Sequence, residues 1–113
     1  MARASAVTLR LEWTSLPLFA GAAELAAANR SGGLTSNVEH FAGAVRVHSG
    51  LSAAERSGAL SLIYDPQTSG GLLVAVAAGH GEATTKAFER ADVRAWRIGT
   101  VVEAVPHIHI DMV

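Results

Sequence analysis

The stretch Asp65-Pro66-Gln67-Thr68-Ser69-Gly70-Gly71-Leu72-Leu73 gathers the residue types needed to hold a polar ligand in place. Asp65-Pro66 starts a turn, because proline fixes φ and the aspartate accepts hydrogen bonds from amides that follow. Gln67, Thr68 and Ser69 add donors and acceptors. Gly70 and Gly71 let a ligand or a neighbouring chain come close to the backbone. A tight loop whose polar groups satisfy one another uses the same residues, and local physics leaves both readings open. Nucleotide and hydrolase signatures are excluded: there is no G-x-x-x-x-G-K-[ST] lysine, no G-x-G-x-x-G spacing and no G-x-S-x-G around Ser69.

A second polar stretch, Ser31 to Asn37, reads as a loop built around Gly32, Gly33, Thr35 and Asn37. Asn37 is expected to cap a short helical turn that begins at Val38. Two other groups carry less. His107 and His109 have the one-face spacing of a metal-binding strand, but no third ligand accompanies them, so solvated imidazoles on an edge strand are the stronger reading. Glu39, His40 and His48 have the types of an acid–base set, yet a polar surface beside a loop explains them more simply.

The elements that must position these loops follow from periodicity. Val7 to Trp13 alternates apolar and polar residues, the pattern of a half-buried strand. Ala20 to Asn29 is an Ala-rich helix that stops at Ser31-Gly32-Gly33. Val45 to His48 is a short strand. Ser52 caps a helix through about Leu60, with Glu55 three residues on to complete a capping box. Leu72 to Ala77 is a continuous apolar run, the pattern of a strand covered on both faces. His80 to Arg90 is a helix with Ala83, Ala87 and Phe88 turned inward. Val93 to Val102 is a strand with Gly99 at a bulge or close contact, and Val105 to Val113 is the last strand. Met1 to Ala6 reads as the tail of a helix entered midway. Interleaved strands and helices predict an α/β (α+β) fold, a mixed sheet flanked by helices.

The totals set the class. A chain of 113 residues fits one domain and buries roughly two thirds of its unfolded surface without needing a metal or disulfide. Hydrophobic residues make up 50% and aromatic ones 5%, so the core rests on Ala, Val and Leu. Charged residues stand at 17%, below the roughly 25% of a typical domain, so part of the surface is expected to lie under another domain or subunit. The net charge is −1 with scattered basic residues, which gives no footprint for nucleic acid. The absence of cysteine removes disulfides, thiolate metal sites and a cysteine nucleophile. No apolar run reaches the roughly 18 residues of a membrane span, and the start lacks a secretory leader. A cytoplasmic location is expected.

The string DPQTSGGLL resembles a signature of the selenophosphate synthetases (selenide, water dikinases), in the C-terminal domain of the architecture shared with aminoimidazole ribonucleotide synthetases. Leu16-Pro17-Leu18-Phe19 and the Ala-rich helix after it are similar to that family's LPLL-type segment. Gly32-Gly33 with Asn37 resembles its GGTxxN loop, and Ile98-Gly99-Thr100-Val101 resembles its closing IGEV strand. Three positions depart from the pattern: Leu34 stands where threonine is expected, Ser36 where a basic residue is expected, and Thr100 where glutamate is common. The resemblance implies a single C-terminal domain over residues 1–113, begun inside the domain, whose N-terminal ATP-binding domain is absent. It implies a family reaction in which ATP, selenide and water give selenophosphate, AMP and phosphate, with Mg²⁺ and ATP as cofactors. The family's cysteine or selenocysteine, its lysine and its metal-holding aspartates belong to other segments, and the one lysine here is Lys86. Hence no catalytic residue and no metal ligand is expected in this chain, nor tight binding of ATP or Mg²⁺ by the chain alone. The implied cleft residues are Gly32, Gly33, Thr35, Asn37, Asp65, Gln67, Thr68, Ser69, Gly70 and Gly71. The implied partners are the N-terminal ATP-binding domain and, in the full-length family, a second subunit of a homodimer. The alternative is a non-catalytic domain of this descent that binds small molecules or dimerises.

Overall fold

The computed structural model describes residues 1–28, 31–41, 43–47, 50–103 and 108–111. A short helix α1 (Ala2–Ser5) ends at Ala6 in the left-handed conformation, φ 51°, and leads into strand β1 (Thr8–Glu12). After a single 3-10 turn come helices α2 (Ala22–Ala28) and α3 (Gly32–His40), then strand β2 (Val45–Val47) and helix α4 (Ala53–Ile63). Helix α5 (Gly81–Arg90) and strands β3 (Gly99–Val102) and β4 (Ile108–Asp111) complete the chain.

The strands form one mixed sheet in the order β2-β4-β1-β3. β1 runs antiparallel to β3, Leu9 facing Val101, and parallel to β4, Leu9 facing Ile108. β2 is parallel to β4, Val45 beside Ile108. Gly99 lies opposite Leu11, and a Cβ there would collide with the Arg10 carbonyl, so the expected close contact is real. The described core is small-residue in character: Ala2, Leu9, Leu34, Ala59 and Tyr64 are buried, along with Thr8 and Ser61. α2 and α4 pack against each other at Gly58, where a Cβ would stand 2.8 Å from the Ala23 carbonyl oxygen. Only glycine allows two helix backbones this near.

Most expected elements are present, including the helix capped by Ser52, whose hydroxyl accepts from the Glu55 amide while the Glu55 carboxylate accepts from the Ser52 amide. Four expectations need correction. Ser31–Asn37 is not a loop. Ser31 is an N-cap, its Oγ accepting from Leu34 N at 3.2 Å, and residues 32–40 are helix. The two glycines cost helix propensity, but the cap and the burial of Leu34 in the first turn outweigh them. Asn37 is therefore inside a helix rather than at its start.

Leu72–Ala77 is not a covered strand. It lies outside the sheet, with Leu72 96% exposed. Ala83 and Ala87 of α5 are exposed, and only Thr84 and Phe88 are half-buried. The strand expected over 93–102 is also shorter, since only residues 99–102 pair, preceded by a bond from Glu12 N to Ile98 O at 2.9 Å.

Candidate functional site

Both polar stretches singled out in the sequence meet at the C-terminal end of α4. That helix closes on Tyr64, whose own amide bonds back to the Leu60 carbonyl at 3.0 Å. The last carbonyls of a helix have no partner within it. Asn37 supplies one: its Nδ2 donates to the Tyr64 carbonyl at 2.9 Å. Two residues further along, the chain is held again. A Cβ on Gly33 would stand 2.9 Å from Pro66 Cγ, so the first turn of α3 touches the start of the 65–71 loop. A glycine at 33 is what allows that approach.

The loop itself is tightly turned. Gln67 N donates to Asp65 O at 2.8 Å, and Gln67 Oε1 accepts from Ser69 N at 3.1 Å. Part of its polar capacity is thus spent locally. Asp65, Thr68, Ser69, Gly70 and Gly71 are exposed, as are Gly32, Gly33 and Thr35 on the first turn of α3. Gly32 and Gly71 have open space where a side chain would be. The outcome is a wall with two features: the amino end of a nine-residue helix and an exposed hydroxyl- and amide-bearing loop braced against it. Helix amino ends and exposed amides favour negative charge.

Two residues escaped the sequence reading. Tyr64 is buried and forms the root of the loop; burial pushes its phenol above the ordinary range. Its place directly after a capping-box helix was the available signal. Ser31 caps α3, and the spacing of Leu34, Val38 and Phe41 after it is helical, which the glycines obscured. Of the lesser groups, His40 packs edge-on against Phe41 with ring centroids 4.6 Å apart. His48 and His107 lie outside the described residues, as does the side chain of His109. Among the described residues no three His, Cys, Asp or Glu side chains converge to hold a metal ion.

The family model for AIR synthase related protein, C-terminal domain, matches residues 1–110. The chain belongs to that family. Three curated relatives all bear the name selenide, water dikinase. The one from Caldanaerobacter subterraneus is 39% identical over 77 residues, covering 67% of this chain and 21% of that protein. The one from Nitratidesulfovibrio vulgaris is 33% identical over 107 residues, 94% of this chain and 29% of its own length. The one from Clostridioides difficile is 33% identical over 104 residues, 90% and 29% respectively. No solved structure matches significantly. The likeness carried by DPQTSGGLL therefore holds over most of the chain, which spans less than a third of the length of these relatives. The mixed sheet with flanking helices accords with the fold class expected of this family.

Proposed function

We propose that this chain is the C-terminal domain of a selenide, water dikinase and supplies one wall of the cleft in which selenophosphate is made. The observation that carries the reading is the clasp between α3 and the 65–71 loop, Asn37 to Tyr64 and Gly33 to Pro66. It turns two separate glycine-bearing segments into one surface, and the curated relatives' name supplies the reaction class. In the reaction, ATP, selenide and water give selenophosphate, AMP and phosphate. The chain's own part is positioning: amides at Gly32 and Gly33, and the hydroxyls of Thr35, Thr68 and Ser69, orient the phosphate chain without forming bonds to it. Fixed dipoles of this kind lower a barrier because they need no reorientation when charge develops.

Mg²⁺ does not fit the described donor set. A divalent ion beside a nucleotide calls for more than one oxygen ligand from the protein or its substrate, and Asp65 is the one carboxylate in the 65–71 loop and the first turn of α3. No step is assigned to the metal here. The cysteine or selenocysteine, the lysine and the metal-holding aspartates belong, in this reading, to an N-terminal ATP-binding domain, the partner that completes the cleft. A homodimer and a cytoplasmic location belong to the same reading. No helix among the described residues is long and apolar enough to cross a membrane.

Calorimetry separates this reading from that of an independent small-molecule-binding domain. The chain alone, titrated with ATP and Mg²⁺, is expected to release no heat of binding. Mixed with the ATP-binding half of a selenide, water dikinase, it is expected to raise nucleotide affinity. Tight ATP binding by the chain alone, or no effect on the other half, would sink the proposal.

A further inference from the structure

Between the wall and helix α5 the backbone is left to solvent. Every residue from Asp65 to Ala83 is exposed. Among the described residues, no backbone hydrogen bond involves residues 70–76, and that run belongs to no helix or strand. A Cβ on Gly71 would meet nothing within 4 Å, so the start of the run is open on that side. Leu72 is 96% and Val74 55% exposed, and residues 70–77 contain no proline. A protease takes its substrate as an extended strand, bonding to backbone amides and carbonyls while pockets receive alternate side chains. A folded chain resists where those groups are already bonded, and nicking concentrates where they are not.

We propose that residues 71–76 are a processing site for an endoprotease that takes extended apolar substrates. Exposure alone does not select it. Phe19 is 91% exposed, yet Leu18 N donates to Leu16 O at 2.9 Å and Phe19 O accepts from Ala22 N at 3.0 Å, so that segment is curled. Residues 94–97 make a shorter run, pinned on one side by Val93 N to Phe88 O and on the other by Glu12 N to Ile98 O. Hydrolysis at Leu72–Leu73 adds water across the bond, leaving a carboxylate on Leu72 and an ammonium on Leu73. The cut leaves the fold standing. In the order β2-β4-β1-β3, strands from before and after the run alternate, so each fragment's strands are paired to the other's. The 65–71 loop becomes the free tail of the first fragment, tied at its root by the Asn37–Tyr64 bond.

Limited digestion of the 113-residue chain with thermolysin, which cuts on the amino side of Leu, Val, Ile and Phe, reads the site by intact-mass spectrometry. The first internal cut is expected at a bond between Gly71 and Val76. It should be roughly tenfold faster than any other, because this run needs no local opening before cleavage. Gel filtration at neutral pH is expected to return both fragments in one peak with the circular-dichroism signal kept, and denaturant to separate them. A first internal cut elsewhere, at Phe19 or within residues 94–97 included, overturns the proposal. So does a chain that resists thermolysin at levels that digest an unfolded control, or one cut evenly along its length. Fragments that part as soon as they form overturn it too, since the alternating strands should hold them.

Discussion

Asn37 acts on a helix other than its own. By donating to the carbonyl of Tyr64, it closes the end of α4 and pins the root of the 65–71 loop. Asn37→Ala should lower stability by about 1 kcal/mol, the net worth of one such bond. Asn37→Asp should cost more, since a carboxylate has no proton to donate and would face a carbonyl oxygen. Thermal unfolding of the two variants checks both size and order. Gly58 makes a second test at this scale. Its missing Cβ is where the Ala23 carbonyl sits, 2.8 Å from an ideal position. Gly58→Ala gains roughly 1 kcal/mol of helix propensity, yet overpacking against a backbone costs about 1–3 kcal/mol. The expected outcome is a net loss of stability. A gain would mean that α2 and α4 slide apart freely.

Among the elements, α4 is the best specified locally. Glu55 is held below the ordinary carboxylate range, first by the Ser52 hydroxyl and then by the Ser52 amide. A carboxylate whose folded pKa is depressed adds stability above its unfolded pKa and loses it as pH falls through the folded value. Below about pH 4.3, the unfolded reference for glutamate, the capping box should therefore weaken. Ser52→Ala should flatten that acid limb of a midpoint-against-pH curve while lowering the plateau at neutral pH.

The box was legible in the sequence because S-x-x-E states both halves of the interaction. β1 was legible too, through its alternation. α3 was not, because Gly32 and Gly33 are poor helix formers and their cost is offset by the capping hydroxyl of Ser31 and the burial of Leu34. The Leu72–Ala77 run misled for a different reason. A continuous apolar stretch announces burial without saying by what, and here the run lies outside the four-stranded sheet and exposed. The ten residues expected to line a cleft fall on two segments that adjoin, but the contact runs through Tyr64 and Pro66, which carry no recognisable chemistry of their own.

For the molecule as a whole, the low charged fraction of 17% and the exposed apolar stretch after Gly71 are consistent with a surface that another chain covers. The wall made by α3 and the 65–71 loop stands beside that stretch in sequence. Loss of the Asn37–Tyr64 clasp should reach function as well as stability: if the wall orients the nucleotide, Asn37→Ala in an assembled enzyme should lower kcat more than it raises KM.

The central claim is that this chain serves as one side of a selenide, water dikinase. The most direct measurement replaces the C-terminal domain of the Nitratidesulfovibrio vulgaris dikinase with this chain, along the 107 aligned residues, and follows AMP formation from ATP. Selenide-dependent AMP formation, diminished by Asn37→Ala, is the predicted result. A folded chimera that binds ATP and Mg²⁺ yet forms no AMP with selenide present would contradict the claim.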